Sequence, residues 1–505
     1  MAFRAAGRVF VAIGLLAAPL GGCSVGPDFA PPPPPTAARL TNTPLPPQTA
    51  SAATLGGTAQ RFRSGTDVSG AWWELFRSPQ IAALVAQAVR ANPDFQAAQA
   101  TLRQALENVR AGQGALFPTV SASANATRQQ ASLAEFGIPN GGSVLFSLLT
   151  GQVNVAYTFD VFGAIRRQVE QLGAQADYER EELEAAYLSL TANLVAALLT
   201  EASVKEQITA TEQIIALYRE ELDVVQQRFE LGAISRAEVL QQQSSLAAAL
   251  ATLPPLRKQL AQERDLIATY LGVLPDEYTQ PTIDLASLHL PADLPVSLPS
   301  QIVAQRPDIR AYAALLHAAT ANVGVATANM LPQFTLTASY GQVAIEPSQL
   351  FTPGGLVWSL GGGVMQPLFE GGTLLHRRRA AVAALQVAVA QYGSTVNSAF
   401  RNVADALVAI AQDAETLRAQ LEAERAADES LGVTRTQFQA GATTYLNVLQ
   451  AEQTYQTARL QLVSAQAARF TDTVALFQSL GGGWWHRTDV APSVAQCCGV
   501  LPWTP

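Results

Sequence analysis

The chain is poor in the residues that carry chemistry. Its 505 residues include three cysteines and four histidines. Cys497 and Cys498 are adjacent near the C-terminus, which is not the spacing of a metal site, and a disulfide between neighbours is strained. No Gly-x-x-x-x-Gly-Lys phosphate loop occurs. Catalysis, nucleotide use and a bound cofactor or metal therefore have no footing, and the chain is read as no enzyme. A basic surplus is also missing. The formal net charge is −8, which argues against nucleic acid as a partner. After the first segment there is no run of 18 uncharged apolar residues, so no membrane-spanning helix is expected in the mature chain.

What is present begins with a targeting segment. Arg4 and Arg8 form a short basic region, and residues 9–20 are an apolar stretch too short to span a bilayer. Leu20-Gly21-Gly22-Cys23 follows and resembles a bacterial lipobox. That resemblance implies cleavage after residue 22, acylation of Cys23 and, with Ser24 next, delivery to the outer membrane. Residues 23–70 are rich in Pro, Ala, Thr and Ser, with Pro31 to Pro35 in a row, and read as an extended tether without a core.

The rest is a duplication. Asn193 and Asn402, Gly232 and Gly441, and Leu271-Gly272 and Leu480-Gly481 all recur at an offset of 209. Pro93-Asp94 recurs as Pro307-Asp308 at an offset of 214. The copies are assigned to residues 71–290 and 291–484, joined by a Pro-rich connector at 281–299, with an irregular tail at 485–505. A repeat this long is no solenoid unit. Each copy has the same order: a helix (93–116 and 307–331) stopped by Pro, two strands, a helix of about 65 residues, a Gly turn and a return helix.

The strands, expected at about 119–129, 149–162, 333–343 and 356–369, alternate strictly. Val120, Ala122 and Ala124 interleave with Ser121, Ser123 and Asn125. Val153, Val155, Tyr157 and Phe159 interleave with Gln152, Asn154 and Thr158. Such alternation puts all apolar side chains on one face. Soluble half-buried hairpins alternate too. The envelope signal and the small, uncharged polar face favour a membrane sheet around a wet lumen. Each run is near the length a tilted strand needs to cross. Four strands cannot close a barrel, and an open edge is not tolerated in lipid, so the strand count itself demands oligomerisation.

The long helices carry coiled-coil spacing. Leu183, Tyr187, Leu190, Leu194 and Leu198 step by three or four, and Leu385, Val389, Tyr392, Val396 and Phe400 repeat the pattern. The two short helices of each copy, stacked end to end, would match one long helix. Pro254-Pro255 is expected to kink the first return helix alone. The fold class is thus an α+β membrane protein, with strands at one end of a long helical body and the Gly232 and Gly441 turns at the other.

At this point the chain resembles a TolC/OprM-type outer-membrane efflux protein of the NodT-like lipoprotein branch. The carrying residues are Val25-Gly26-Pro27-Asp28-Phe29 after Cys23, Trp72-Trp73-Glu74-Leu75-Phe76, Asn92-Pro93-Asp94 and Phe159-Asp160-Val161-Phe162-Gly163. Gln305-Arg306-Pro307-Asp308-Ile309, Gln366-Pro367-Leu368-Phe369-Glu370-Gly371-Gly372 and the two tip phrases complete the set. The resemblance implies a homotrimer with a twelve-stranded barrel, a mixed equatorial region and a twelve-helix periplasmic tunnel. It also implies a passive exit duct working with a periplasmic membrane-fusion adaptor and an inner-membrane transporter of the RND type. In the family, acids near the second tip phrase narrow the entrance. Here those positions hold Asn447 and Gln450, Glu238 is the matching acid of the first copy, and Arg228 fits the family's basic residue where the second copy has Gln437. Gly232, Ala233, Ile234, Gly441, Ala442 and Thr443 are the expected adaptor-docking tips. Small-molecule efflux is the leading function. A duct for secreted protein or polysaccharide, and a pore-free periplasmic scaffold, are the alternatives.

Overall fold

The computed structural model describes residues 24–33, 39–133, 137, 142–279 and 283–488. Cys23, Cys497 and Cys498 lie outside them. In chain order the elements are β1 (Arg61–Ser64), α1 (Pro79–Ala91), α2 (Pro93–Gly114), β2 (Thr119–Ser132) and β3 (Ser143–Phe159). Then come α3 (Ala164–Glu230), α4 (Arg236–Leu271), β4 (Asp293–Val296), α5 (Pro299–Gln305) and α6 (Pro307–Ala328). The chain closes with β5 (Gln333–Ala344), β6 (Leu356–Met365), α7 (Thr373–Gln439) and α8 (Tyr445–Ser479). The order α2-β2-β3-α3-α4 returns as α6-β5-β6-α7-α8, so the duplication is structural.

Each short helix starts where a proline sits in its first turn, after an extended residue. The missing amide costs nothing there. Asn92 caps α2 by accepting from Phe95 N–H at 2.9 Å. The same side chain donates to Tyr270 O at 3.1 Å, at the end of α4. Arg306 does the equivalent in the second copy, donating to Ser479 O at 2.6 Å at the end of α8. The short helices therefore stack end to end, α2 on α4 and α6 on α8. Each stack runs beside a 67-residue helix, about 100 Å long. Packing follows the lateral order α2/α4, α3, α6/α8, α7, leaving a free flank at each end.

One window of α3 is apolar enough for a membrane span, yet 67% of it is buried in protein. It supplies Leu190, Leu194, Leu198 and Leu199 to an equatorial core with Trp72, Phe76, Phe470 and Phe477. Trp72 stacks on Phe477 with centroids 5.4 Å apart. Buried acids on α3 bind this body together. Glu181 holds Arg310 of α6, Glu184 holds Arg487, and Glu201 holds Arg264 of α4.

Several expectations need correction. The segment before residue 70 is not wholly a coreless tether. Gln60 is fully buried and donates to Pro291 O at 3.1 Å and Thr473 Oγ1 at 3.2 Å, and β1 pairs in parallel with β4. Buried Arg469 donates to Gly56 O and Thr49 Oγ1, fastening this stretch to α8. β3 begins at Ser143, not 149. Leu148-Leu149 breaks the alternation, whereas the hydrogen-bond ladder to β2 does not need it. β6 ends at Met365, before Pro367 and its missing amide. Pro254 and Pro255 lie inside α4 without ending it, so the bend expected there would fall within one continuous helix.

Candidate channel and its entrance

The larger sheet is fully antiparallel in the order β2-β3-β5-β6. In its middle rows the register joins like with like across all four strands. Val120, Val155, Ala338 and Leu360 form one row, and Ala122, Val153, Tyr340 and Trp358 another. On the opposite face Ser121, Asn154, Ser339 and Ser359 line up. Asn154 donates to Ser123 Oγ at 3.2 Å, and the Ser339 and Ser359 hydroxyls meet at 2.8 Å. A shift of one residue would mix the faces. The apolar face has no cover in the protomer. Val120 and Leu360 are each 68% exposed and Trp358 70%. In water this would be a large aggregating patch. Against lipid it is the proper surface. β2 and β6 are unpaired edges among the described strands, so closure needs further copies.

At the far end both helix hairpins turn through the same hydrogen-bond pattern. Ala233 N–H bonds Arg228 O and Gly232 N–H bonds Phe229 O, each at 2.9 Å. Ala442 N–H bonds Gln437 O at 2.8 Å and Gly441 N–H bonds Phe438 O at 3.0 Å. This paired pattern ends a helix on a left-handed residue. Gly232 has φ 68° and Gly441 φ 74°. Gly232, Ala233, Gly441 and Ala442 are exposed, while Ile234 and Thr443 are half-buried.

The four expected entrance residues do not meet as a cluster: no hydrogen bond or ion pair joins them among the described residues. Glu238 is half-buried in the first turn of α4, where Ser235 Oγ donates to it at 3.3 Å. Asn447 holds the pseudo-equivalent place on α8 and donates to Thr443 Oγ1 at 2.8 Å. Gln450 lines a groove of about 370 Å³ between α4 and α8, opposite its counterpart Gln241. Arg228 points at an aromatic ring rather than an acid, its guanidinium 5.0 Å from the Phe438 centroid in the other copy.

Sequence reading missed the clasp that joins the hairpins. Tyr445 OH donates to Gln242 Oε1 at 2.7 Å, and Gln242 donates to Tyr218 O at 3.0 Å. Arg435 bridges Glu221 of α3 and buried Glu452 of α8, the latter at 3.2 Å. Burial, then the hydrogen bond to and charge of Glu221, push the Glu452 carboxyl well up. Beneath lie Val225, Val239, Tyr445 and Val448 from both hairpins. A signal existed. At the offset of 209, Tyr218, Glu221, Arg435, Gln242 and Glu452 face Ala427, Ser430, Gln226, Ala451 and Gln243, so the clasp is made where the copies differ.

The first described residues are fixed at the sheet end. Val25 N–H bonds Phe162 O at 3.1 Å, Arg167 bonds Asp28 at 2.6 Å, and Phe29 stacks on His317 at 4.4 Å. A Cβ on Gly26 would lie 2.4 Å from Gly324 Cα, so both glycines permit the contact.

The sequence pattern of the family described as outer membrane efflux protein matches residues 84–273 and 298–482, one stretch in each copy. This chain belongs to that family. It is similar to the probable efflux pump outer membrane protein TtgC of Pseudomonas putida, 28% identical over 478 residues, covering 94% of this chain and 95% of that one. The toluene efflux pump outer membrane protein TtgF of the same species is 29% identical over 485 residues, covering 93% and 96%. Among solved structures, the outer-membrane channel OprN superposes with a TM-score of 0.80 at 27% identity, over 92% of this chain and all of that one. The open state of the Neisseria gonorrhoeae MtrE channel gives 0.76 at 25%, over 91% and 98%. The exposed apolar sheet is accordingly the protomer's share of an outer-membrane barrel, and the helical body extends into the periplasm.

Proposed function

We propose that this efflux protein is a passive exit duct for small organic molecules, working as a homotrimer with a periplasmic adaptor and an inner-membrane transporter of the RND type. The observation that carries the reading is an uncovered apolar sheet with two open edges at one end of a helical body about 100 Å long. Three copies supply twelve strands and remove every edge. The polar face of the paired strands carries no charge, which suits varied and neutral cargo. Relatives named for toluene, antibiotic and pyoverdine export support a small-molecule cargo over protein or polysaccharide. No chemical step is required of the chain. Gly232, Ala233, Ile234, Gly441, Ala442 and Thr443 present six tips per trimer to the adaptor. Glu238 supplies the acid at the entrance, beside neutral Asn447 and Gln450.

Two measurements test the pore. Purified trimers in planar bilayers should conduct. Cysteine at Asn154 should react with water-soluble maleimide from the lumen, while cysteine at Val155 should react only with a lipid-soluble probe. Equal aqueous labelling at both positions would mean a soluble hairpin and would sink the barrel.

A further inference from the structure

The two copies leave the sheet on the same backbone frame but with opposite electrostatics. In the first, Gly163 (φ 79°) opens α3. Asp160 accepts from Ile165 N–H at 3.0 Å, Arg166 N–H at 2.9 Å and Arg166 Nε at 3.2 Å. One turn on, Arg167 bonds Asp28 at 2.6 Å and Glu170 at 2.7 Å, and His317 of α6 meets Glu170 at 2.9 Å. Every basic side chain at this seam has a carboxylate beside it.

In the second copy Gly372 (φ 85°) opens α7. The offset of 209 puts Phe369 in the place of Asp160, His376 in that of Arg167 and Arg379 in that of Glu170. The counterpart of His317 is Arg103 of α2. Both carboxylates have gone, an apolar ring standing in the place of Asp160 and an arginine in that of Glu170. His376, Arg377, Arg378 and Arg379 are all exposed. Among the described residues none of the four makes an ion pair, and Arg378 donates to Thr327 Oγ1 at 3.3 Å. Glu370 is the nearest acid in sequence and its carbonyl, not its carboxylate, takes part in the described local bonding, from Thr373. Four successive residues sweep most of a helix circumference, so a neighbouring protomer on the free flank of α7 cannot cover them all.

We propose that this rim binds the phosphate head groups of anionic phospholipid in the inner leaflet of the outer membrane, at each start of α7 around the trimer. The height is set by the first copy. Ser24 packs so closely on Gly163 that a Cβ there would lie 2.8 Å from Ser24 Oγ. Ser24, the residue after the expected acylation site, thus adjoins the start of α3, and Gly372 is the pseudo-equivalent of Gly163. Leu368 and Phe369, 92% and 87% exposed, lie between the end of β6 and the arginines, where acyl chains meet head groups. Arginine suits the task because its planar fork matches phosphate oxygens. The contact is salt-sensitive, as surface charge attraction is.

The proposal rests on the barrel reading. Full-length trimers would be mixed in detergent with phosphatidylglycerol, phosphatidylcholine or inorganic phosphate, and the retained lipid counted by native mass spectrometry. Wild type should hold phosphatidylglycerol in preference to phosphatidylcholine. Arg377→Gln and Arg379→Gln should each weaken retention about fivefold, while Arg377→Lys/Arg379→Lys keeps most of it. Equal retention of the two lipids, an unaffected Arg377→Gln/Arg379→Gln double variant, or displacement of the lipid by equimolar inorganic phosphate would overturn the proposal. Bilayer conductance of the same preparations separates the two readings. Conducting trimers without lipid preference remove the lipid site alone, and non-conducting wild type removes the barrel and the lipid site with it.

Discussion

Gly232 and Gly441 both sit where only a left-handed backbone closes the turn. A Cβ at either would meet nothing within 4 Å. The constraint is therefore conformational, about 1–2 kcal/mol for an ordinary residue and less for asparagine. The equatorial core lies far along the helices, so the penalty stays local. Gly232→Asn should export normally. Gly232→Trp and Gly441→Trp should reach the outer membrane as trimers and fail to restore drug resistance, because the bulk stands in the open space proposed for adaptor docking. Ordinary resistance from both tryptophan variants would show that the turns are structural alone. Glu238 belongs to the same scale. As the acid among the four expected entrance residues, it should set the cation preference of the closed channel, and Glu238→Gln should reduce that preference in planar bilayers. Unchanged ion selectivity would place the constriction elsewhere. The special residues of the turns were legible because glycine is recognisable alone. Arg228 was not legible, since its contact is Phe438 in the other copy.

At the level of elements, helices were easier to read than strands. The bounds of α3 follow from the glycine before it and the tip turn after it, and the structure places the helix there. β3 extends six residues upstream of its alternating run because period two reports which face a residue takes, not whether its backbone is paired. The clasp between hairpins needed knowledge of which helices are neighbours, which no local pattern supplies. Its chemistry predicts a pH dependence. The Glu452 carboxyl is raised from 4.5 to about 9 in the folded protein. A carboxyl with a raised value keeps its proton in the clasp and releases it more readily when the hairpins part. Its contribution is thus complete below about pH 4.5 and is lost progressively as pH rises toward about 9. Arg435 is pushed the other way from deprotonation, and Tyr218 and Tyr445 are raised by burial, so none of these titrates in that window. Closed-channel conductance should therefore rise between pH 5 and pH 9, values chosen from that window. Glu452→Gln keeps a hydrogen-bonding side chain without the proton and should flatten the rise. An unaltered slope in Glu452→Gln would assign the pH response to other groups.

For the whole molecule, the duplication supplies a rule for assembly. Within one protomer α3 of the first copy packs on α6 of the second, and α7 is left with a free flank. If the ring is pseudo-sixfold, α7 packs on α2 of the next protomer as α3 packs on α6. Arg310 meets Glu181 across the internal seam at 2.9 Å. The offsets of 214 and 209 convert that pair into Gln96 of one protomer and Ala390 of the next. Ala390 lines an open groove on α7 with Gly393, Ser394 and Ser398, side chains small enough to admit a neighbouring helix. In a Cys497→Ser/Cys498→Ser background, Gln96→Cys/Ala390→Cys treated with a short bis-maleimide should run as covalent trimer on a denaturing gel. Arg310→Cys/Glu181→Cys, joined inside one chain, should stay monomeric. The single variants report background. A double variant that crosslinks no more than its singles would mean that the internal seam is not repeated between protomers, and that the trimer closes through a different surface of α7.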